Sequence, residues 1–167
     1  MEENDTYRSI ACGCLWMLII LSSLMFIIPL FNTSCSDKAR QSEGKQYIGS
    51  MNRAQQAYYS DEQKFSSNIP DLGLGIQTET TNYLYSTETT DNTAFNYGIS
   101  RHDKIPSYVG AVFAVPATDV DSEAESDEIT TVAILCEADA SGSIKPAAPT
   151  YQDGKLTCGE GTIDLSR

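Results

Sequence analysis

The feature that most constrains this chain is an uncharged apolar run close to its N-terminus. Residues Ile10–Phe31 carry no charged side chain, and only Ser22, Ser23 and Pro29 interrupt the run. At a rise of about 1.5 Å per residue, a helix of this length extends roughly 33 Å, close to the roughly 30 Å of a bilayer's hydrocarbon core. We therefore expect a transmembrane helix over residues 10–31, contact with membrane lipid, and a short cytoplasmic segment at residues 1–9.

Two other interpretations of the run are weaker. A cleavable secretory signal has a basic region before its apolar part, but here three acids outweigh the single basic residue Arg8, and no A-x-A cleavage site follows. A lipoprotein needs small apolar residues before its modified cysteine, whereas Asn32, Thr33 and Ser34 precede Cys35. The run is therefore interpreted as a membrane anchor.

The charges that follow the run conflict with the orientation we expect. Lys38, Arg40 and Lys45 come directly after it, and the positive-inside rule would assign that side to the cytoplasm. Long domains nevertheless translocate largely regardless of flanking charge, and the two cysteines of the C-terminal part suit an oxidising compartment. We expect a single-pass membrane protein whose globular part is extracytoplasmic, in the periplasm or at the cell surface.

Apolar residues recur with helical spacing beyond the run, at intervals of four, three and four residues. This predicted helix packing face consists of Tyr47, Met51, Ala54 and Tyr58, and Ile48 and Gln55 lie beside it. We expect residues 32–65 to form an amphipathic stalk, helical to about Ser60, that packs this face under a sheet. Pro70 cannot extend a helix and two glycines follow it, so residues 68–75 are predicted to be a loop.

Four stretches within residues 66–167 have the composition of strands. They are rich in aromatic and β-branched residues, and they comprise Tyr83–Ser86, Phe95–Ser100, Tyr108–Val115 and Thr130–Cys136. The last two are nearly continuous apolar runs, which predicts a buried central position. The chain beyond the anchor is long enough for one compact domain. The predicted class is α+β, a long helix packed on a four-stranded antiparallel sheet.

The tail from Ala138 onwards is rich in glycine and proline, which predicts irregular chain with at most one short strand near Lys155–Cys158. Cys136 and Cys158 enclose 21 residues of this chain, and a disulfide between them would pin it to a sheet edge. Closing such a loop is worth roughly 3 kcal/mol in the chain-entropy model. The alternative is a pair of buried free thiols.

The net charge of the chain argues against one class of partner. A formal net charge of -12 repels nucleic acid, so we expect no nucleic-acid partner. An acidic loop comprises Asp119, Asp121, Glu123, Glu125, Asp127 and Glu128. A calcium site in this loop is the less favoured alternative, because the spacing lacks the glycine of a dedicated calcium loop. We expect a solvated turn and no metal site.

Motifs of catalysis are missing from the sequence. His102 is the only histidine, and neither G-x-S-x-G nor H-E-x-x-H occurs. The glycines of Leu72–Ile76 are not followed by a helix with phosphate-binding signals. We expect no enzymatic activity, no catalytic residues and no cofactor.

The segment that follows the anchor has a specific likeness. Ile27–Phe65 closely resembles the cyanobacterial pilin-like proteins of a general secretion pathway G and H group, in which a K-A-K-Q-S-E-like segment precedes Y-x-G-S-M-N-R-A-Q-Q-A-Y-Y. Lys38–Glu43 and Tyr47–Tyr59 reproduce these two motifs almost without change. With the further matches, the likeness covers roughly four fifths of the chain. Those matches are Asp71–Ile76, Asn82–Tyr85 and the tail from Cys136 to Cys158.

This resemblance implies a type IV pilin-like fold and a structural role. The implied function is that of a pilin or pseudopilin subunit in a type IV pilus or a type II-like secretion assembly. Its partners would be other pilin-like subunits and the assembly machinery. An alternative from another class is a membrane-anchored extracytoplasmic binding module that forms no filament.

The N-terminus departs from the family's pattern. Prepilins carry a glycine at which prepilin peptidase cleaves, and a glutamate at the fifth mature position. The candidate processing site here is Gly13 and Cys14, which places Leu18 where that glutamate is expected. The carboxylate matters because it is costly in hydrocarbon and pairs with the amino terminus of a neighbouring subunit, which helps to set filament register. Leu18 therefore favours the binding-module alternative.

Overall fold

The computed structural model describes residues 36–125 and 127–165. The chain divides into one unit at Met1–Ala39 and a compact unit at Arg40–Arg167, and the architecture below is that of the second. Residues 36–62 are helical, and the part of this helix in the second unit, residues 40–62, is named α1. The helix expected over residues 10–31 lies outside the described residues, as do Gly13 and Cys14. Among the described residues no helix is both long and apolar enough to cross a membrane.

The chain after α1 turns back along the helix through a short ordered segment. A 3-10 helix at Ile69–Leu72 lies in the first part of the predicted loop. Pro70 supplies the fixed backbone angle of its first turn, and Gly73 ends it in the left-handed conformation at φ 67°. Ile69 and Leu72 are buried against the helix side of the sheet. Apolar residues on either side of the proline therefore order a segment that composition alone predicts to be irregular.

The main sheet has five antiparallel strands rather than the predicted four, in the order β1-β2-β3-β4-β7. All four predicted strands are present, and each is longer than predicted. The long strands are β1 Tyr83–Thr89, β2 Thr93–Ser100, β3 Pro106–Pro116 and β4 Ile129–Ser141, and the three short ones are β5 Thr150–Gln152, β6 Lys155–Thr157 and β7 Thr162–Asp164.

The tail contains more regular structure than its composition predicts. The additional strand of the main sheet, β7, is only three residues long and pairs with Cys136–Ala138 of β4. The other two tail strands, β5 and β6, form a hairpin of their own. Asp153 and Gly154 at its turn both have positive φ, at 50° and 73°, which is the geometry of a two-residue type I′ turn. Strands of three residues carry too little alternation to stand out among glycines and prolines.

Each face of the sheet is covered by a different part of the chain. On one face, α1 and the 3-10 helix pack against tyrosines of β1 and β3. On the other, the β5–β6 hairpin brings Tyr151 and Leu156 against a cluster formed by β2, β3 and β4. Because β3 lies in the middle of the sheet, nearly all its residues are buried. This double burial explains why its sequence is a continuous apolar run rather than an alternating one.

A disulfide joins Cys136 of β4 to Cys158, just after β6, with their Cα atoms 5.9 Å apart. Both cysteines belong to the apolar cluster under the tail. The bond therefore fixes the hairpin over the sheet, in a tail whose own hydrophobic content is small. This is the pairing that the sequence favours over free thiols.

Removing this disulfide should destabilise the domain. The bond closes a sequence separation of 22 residues, and the chain-entropy model assigns a loop of this size about 3 kcal/mol. We expect the double variant Cys136→Ser, Cys158→Ser to lose about 3 kcal/mol in urea unfolding followed by circular dichroism. A Cys35→Ser variant is the control, because it leaves the bridge intact. An unchanged unfolding midpoint in the double variant would show that the tail is held without the bond.

Candidate functional site

The surface that defines this domain is the face along which α1 packs on the sheet. Met51, at the centre of the predicted packing face, is completely buried. Tyr47, Ala54 and Tyr58 are partly buried and pack around the same cluster. A second line of buried residues runs beside them and comprises Gly44, Ile48, Asn52 and Gln55. Its spacing of three and four residues is helical, but an apolar pattern does not reveal it, since two of its members are amides.

Glycines allow the helix to approach the sheet closely. A Cβ on Gly110 of β3 would lie 2.7 Å from Ile48 Cγ2 and against the Asn52 amide. A Cβ on Gly44 of α1 would lie 2.7 Å from Tyr83 Cζ. Real Cβ atoms do not approach other atoms so closely. The close contact therefore requires a glycine on each element, Gly44 on the helix and Gly110 on the sheet.

Asn52 links α1 to two strands through the space above Gly110. Its Nδ2 donates to the carbonyl of Ile134 in β4 at 2.9 Å, and its Oδ1 accepts from Asn96 Nδ2 of β2 at 3.0 Å. Both asparagines are buried. Asn96 Oδ1 has no hydrogen-bond partner within the described part of the chain. Buried polar groups cost free energy when they are misaligned, so this pair fixes the helix in one position along the sheet.

Gln55, one turn further along, holds the segment that follows the helix. Its Nε2 donates to the carbonyl of Ser66 at 2.7 Å, and its Oε1 accepts from the Ser66 amide at 3.0 Å. A longer bond of 3.2 Å reaches the Thr87 hydroxyl of β1. The fully buried side-chain amide of Gln55 therefore satisfies the backbone carbonyl and N–H of Ser66, just after the end of α1, in place of a backbone partner.

Glu43 makes the corresponding attachment near the start of α1. Its carboxylate accepts hydrogen bonds from the Thr80 hydroxyl at 2.6 Å, from Asn82 Nδ2 at 2.5 Å and from the Tyr85 hydroxyl at 3.2 Å. Hydrogen bonds to a charged acceptor are stronger than those between neutral groups. Glu43 therefore fastens both the chain that leads into β1 and β1 itself to the helix. His102 Nε2 extends the network, 3.2 Å from Asn82 Oδ1.

The tyrosines beneath the helix are held in the neutral form. Burial raises the pKa of Tyr83, Tyr85 and Tyr108 above its usual range. Neighbouring carboxylates add to this shift: Glu43 raises the pKa of Tyr83 and Tyr85, and Glu137, through a hydrogen bond, raises that of Tyr108. These rings serve as packing groups whose hydroxyls donate, and they do not act as acids near neutral pH.

The acidic loop lies apart from this interface. All six of its named acids are exposed, in the connection from β3 to β4. Tyr151 of the tail donates to Asp119 Oδ2 at 2.9 Å, and the Glu123 amide donates to Asp121 Oδ1 at 3.0 Å. Across residues 36–125 and 127–165, no three histidine, cysteine or acidic side chains are grouped so that they could hold a metal ion.

A helix laid across one face of an antiparallel sheet, with a disulfide-closed tail on the other, defines a pilin-like α+β domain. Residues 41–159 match the family described as type IV pilin-like G and H. The match covers more than half of the chain, so the protein belongs to the type IV pilin-like G and H family. No curated protein and no solved structure matches the chain. The cyanobacterial origin suggested by the sequence remains a prediction.

Two glycines of the same helix should respond in opposite ways to the same substitution. Gly44→Ala would place a methyl group against Tyr83 and Tyr108, whereas the Cβ of Gly49→Ala would meet only the end of the Arg53 side chain, at 3.8 Å. We expect Gly49→Ala to gain up to about 1 kcal/mol from helix propensity, and Gly44→Ala to lose about 1–3 kcal/mol through overpacking. Urea unfolding of the two variants measures both effects. Equal stabilisation of both would show that the helix does not approach the sheet as described.

The neutral tyrosines predict a loss of stability at alkaline pH. Because burial raises the folded-state pKa of Tyr83, Tyr85 and Tyr108, the unfolded chain loses these protons first as the pH rises. Their contribution is complete below about pH 10 and falls above it, by up to about 1.4 kcal/mol per pH unit for each tyrosine. In urea unfolding between pH 8 and pH 11, Tyr85→Phe should show a shallower fall than the unsubstituted protein. Parallel profiles would contradict the assignment for Tyr85.

Proposed function

We propose that this protein is a membrane-anchored structural subunit of a pilus or a secretion pseudopilus. Its N-terminal helix packs among those of other pilin-like subunits, while its sheet domain faces outward. Membership of the type IV pilin-like G and H family supports this role. The observation that carries the proposal is the rigid attachment of α1 to the sheet through Glu43, Asn52 and Gln55.

The attachment of α1 to the sheet matters because a fibre subunit transmits force between this helix and its sheet domain. The three polar side chains bind α1 to β1, β2, β4 and the segment at Ser66, at points spread over more than three helical turns. Directional bonds resist sliding of the helix along the sheet, which apolar contacts alone do not. The domain and its helix then move as one body under load.

The proposed role is not enzymatic. Two hollows of about 160 and 180 Å³ along α1 are lined by amides, hydroxyls, aliphatic groups and one arginine. Neither lining includes a carboxylate or a histidine that could act as a base. The single histidine lies elsewhere, in the network around Asn82. Small hollows whose hydroxyls have no neighbouring base to activate them fit a contact surface better than an active site.

Anchoring through residues 10–31, with the domain outside the cytoplasm, is part of the same proposal. The length and apolarity of that run support it. The disulfide at Cys136 and Cys158 supports an oxidising compartment for the domain. A specific observation also favours a second candidate: Leu18 stands where filament-forming relatives carry glutamate, which suits an anchored binding module that does not polymerise.

The mature N-terminus and the location of the protein distinguish these two functions. A filament subunit should be recovered in surface fibres sheared from native cells, with an N-methylated terminus at Cys14 by mass spectrometry. Gly13→Ala, which removes the processing glycine, should abolish both the new terminus and fibre recovery, while Gly49→Ala serves as a glycine control that retains both. An intact terminus at Met1 together with strict retention in membranes would contradict the filament role and support the anchored module.

A further inference from the structure

Among the strands of the described residues, none covers the first half of β4 on the side away from β3. Strand β4 pairs with β3 from Ile129 to Ser141, whereas β7 covers only Cys136–Ala138 on the other side. Just beyond that cover, the Leu165 amide donates to the Leu135 carbonyl at 2.8 Å. From Ile129 to Ala133, no strand within residues 36–125 and 127–165 lies on the side away from β3. This stretch is named the open edge.

The backbone of the open edge presents a regular set of hydrogen-bonding groups. Antiparallel pairing alternates, so residues that face β7 are separated by residues that face β3. Leu135 accepts from Leu165, and Asp139 donates to Gly161, which shows that odd-numbered residues turn toward the β7 side. The amides and carbonyls of Ile129, Thr131 and Ala133 therefore point away from β3. Gln56 reaches the Thr131 carbonyl at 3.3 Å, and a carbonyl has room for a second donor.

A groove runs between this edge and α1. One hollow of about 160 Å³ lies beside Ile129 and Thr131 and is walled by Tyr59 and Gln63 of the chain around the end of α1. The next, about 180 Å³, lies beside Ala133 and Leu135 and is walled by Arg53 and Leu165. The two are centred four residues apart along β4, roughly 13 Å. Side chains on one face of an added strand recur every second residue, about 6.6 Å, so two of them that are four residues apart match this spacing.

The open edge begins with an exposed apolar side chain. Ile129, a large aliphatic residue, is 49 % accessible at its start. Unprotected edges invite pairing with other chains, and proteins use nearby charge to limit which chains can pair. Here the acids Asp127 and Glu128 stand directly before Ile129, at the end of the acidic loop.

Charge decides which partner this edge can accept. A second copy of the chain carries the same formal charge of -12. Its uncovered strands are the same open edge of β4, preceded by Asp127 and Glu128, and the end of β1, followed by Asp91. Two such copies repel each other, and like charges brought close together cost several kcal/mol. A basic segment instead gains attraction from the acidic loop while it pairs with the edge.

We propose that the open edge of β4 is a docking site for a basic, extended peptide segment of another protein, which adds to the sheet as a further strand. Its backbone pairs with Ile129, Thr131 and Ala133, its alternate side chains enter the two hollows beside α1, and its lysines or arginines lie against the acidic loop. This mode of recognition takes affinity from main-chain bonds and selectivity from the pockets and charges. The inference goes beyond the structural role proposed above and does not depend on filament formation.

A matched pair of peptides tests the charge requirement on the full-length protein. One peptide alternates valine and threonine over six residues between two lysines at each end, and the other has glutamates in place of the lysines. By fluorescence anisotropy at low salt, the lysine peptide should bind at least about 10-fold more tightly, and added salt should reduce the difference. On binding, hydrogen exchange should slow at the amides of Ile129, Thr131 and Ala133.

A matched pair of variants tests the edge itself. Thr131→Pro removes the amide that points away from β3, a position where an edge strand tolerates proline. Thr131→Val keeps this amide and removes only the hydroxyl that Gln56 contacts at 3.2 Å. Binding of the lysine peptide should fall at least about 10-fold in the proline variant and persist in the valine variant. The exposed double variant Asp127→Lys, Glu128→Lys does not disturb the ladder and should reduce the preference for the lysine peptide, because four acids of the loop remain.

Three outcomes would overturn the proposal. Equal binding of the two peptides would remove the charge requirement, and unchanged exchange at Ile129, Thr131 and Ala133 would remove the site. Self-association of the free protein that Thr131→Pro abolishes would identify a second copy, rather than a basic partner, as the occupant. If the proline variant does not fold, as judged by circular dichroism, the charge-reversed variant and the exchange measurement decide the question.

Discussion

The fold depends on a close approach between one helix and the middle of one sheet. Asn52 occupies the space above Gly110, and any residue with a side chain at position 110 would collide with it. The same asparagine bonds to β2 and β4, so the helix cannot slide along β3 without breaking buried polar contacts. Ile48 and Met51 supply the apolar area of the interface. Apolar burial provides most of the stabilisation and is not directional. The buried hydrogen bonds of the side-chain amides therefore determine which position α1 takes on the sheet.

The two faces of the sheet are stabilised by different means. On the helix side, a long element buries tyrosines and aliphatic side chains and adds charged and amide hydrogen bonds. On the far side, a short hairpin covers the cluster with few residues, and the Cys136–Cys158 bond holds it there. Lys145 adds a surface attachment, with its Nζ 4.3 Å from the centre of the Tyr97 ring and 2.7 Å from Glu88 Oε1. A tail with a small core of its own thus becomes part of the domain.

Much of this architecture could be predicted from the sequence because long elements have strong patterns. The helix face around Met51, the four long strands and the cysteine pair all follow from spacing and composition. The short strands β5, β6 and β7 could not, since three residues carry no useful periodicity and their pairing depends on the disulfide and on β4. Ile69–Leu72 is ordered by tertiary burial that overrides its turn-forming residues.

The polar half of the interface was harder to predict than the apolar half. Asn52 and Gln55 lie on the buried line of α1, yet amides on a helix are usually exposed. Their burial follows from partners distant in sequence: Asn96, Ile134 and Ser66. The sequence pattern places Ile48 and Gln55 beside the predicted packing face. Extending this line by helical spacing to Gly44 and Asn52 requires a glycine and an amide to be treated as members of that face.

We expect α1 and the sheet to form one cooperative body that is fixed by the buried amides. Native-state hydrogen exchange of the full-length protein tests this directly, because cooperative units open together. Amides of α1 around Ile48–Gln55 should exchange as slowly as those of β2 and β3, with the same dependence on denaturant. If the helix exchanged much faster than the sheet, it would open on its own, and the claim of a single body would be wrong.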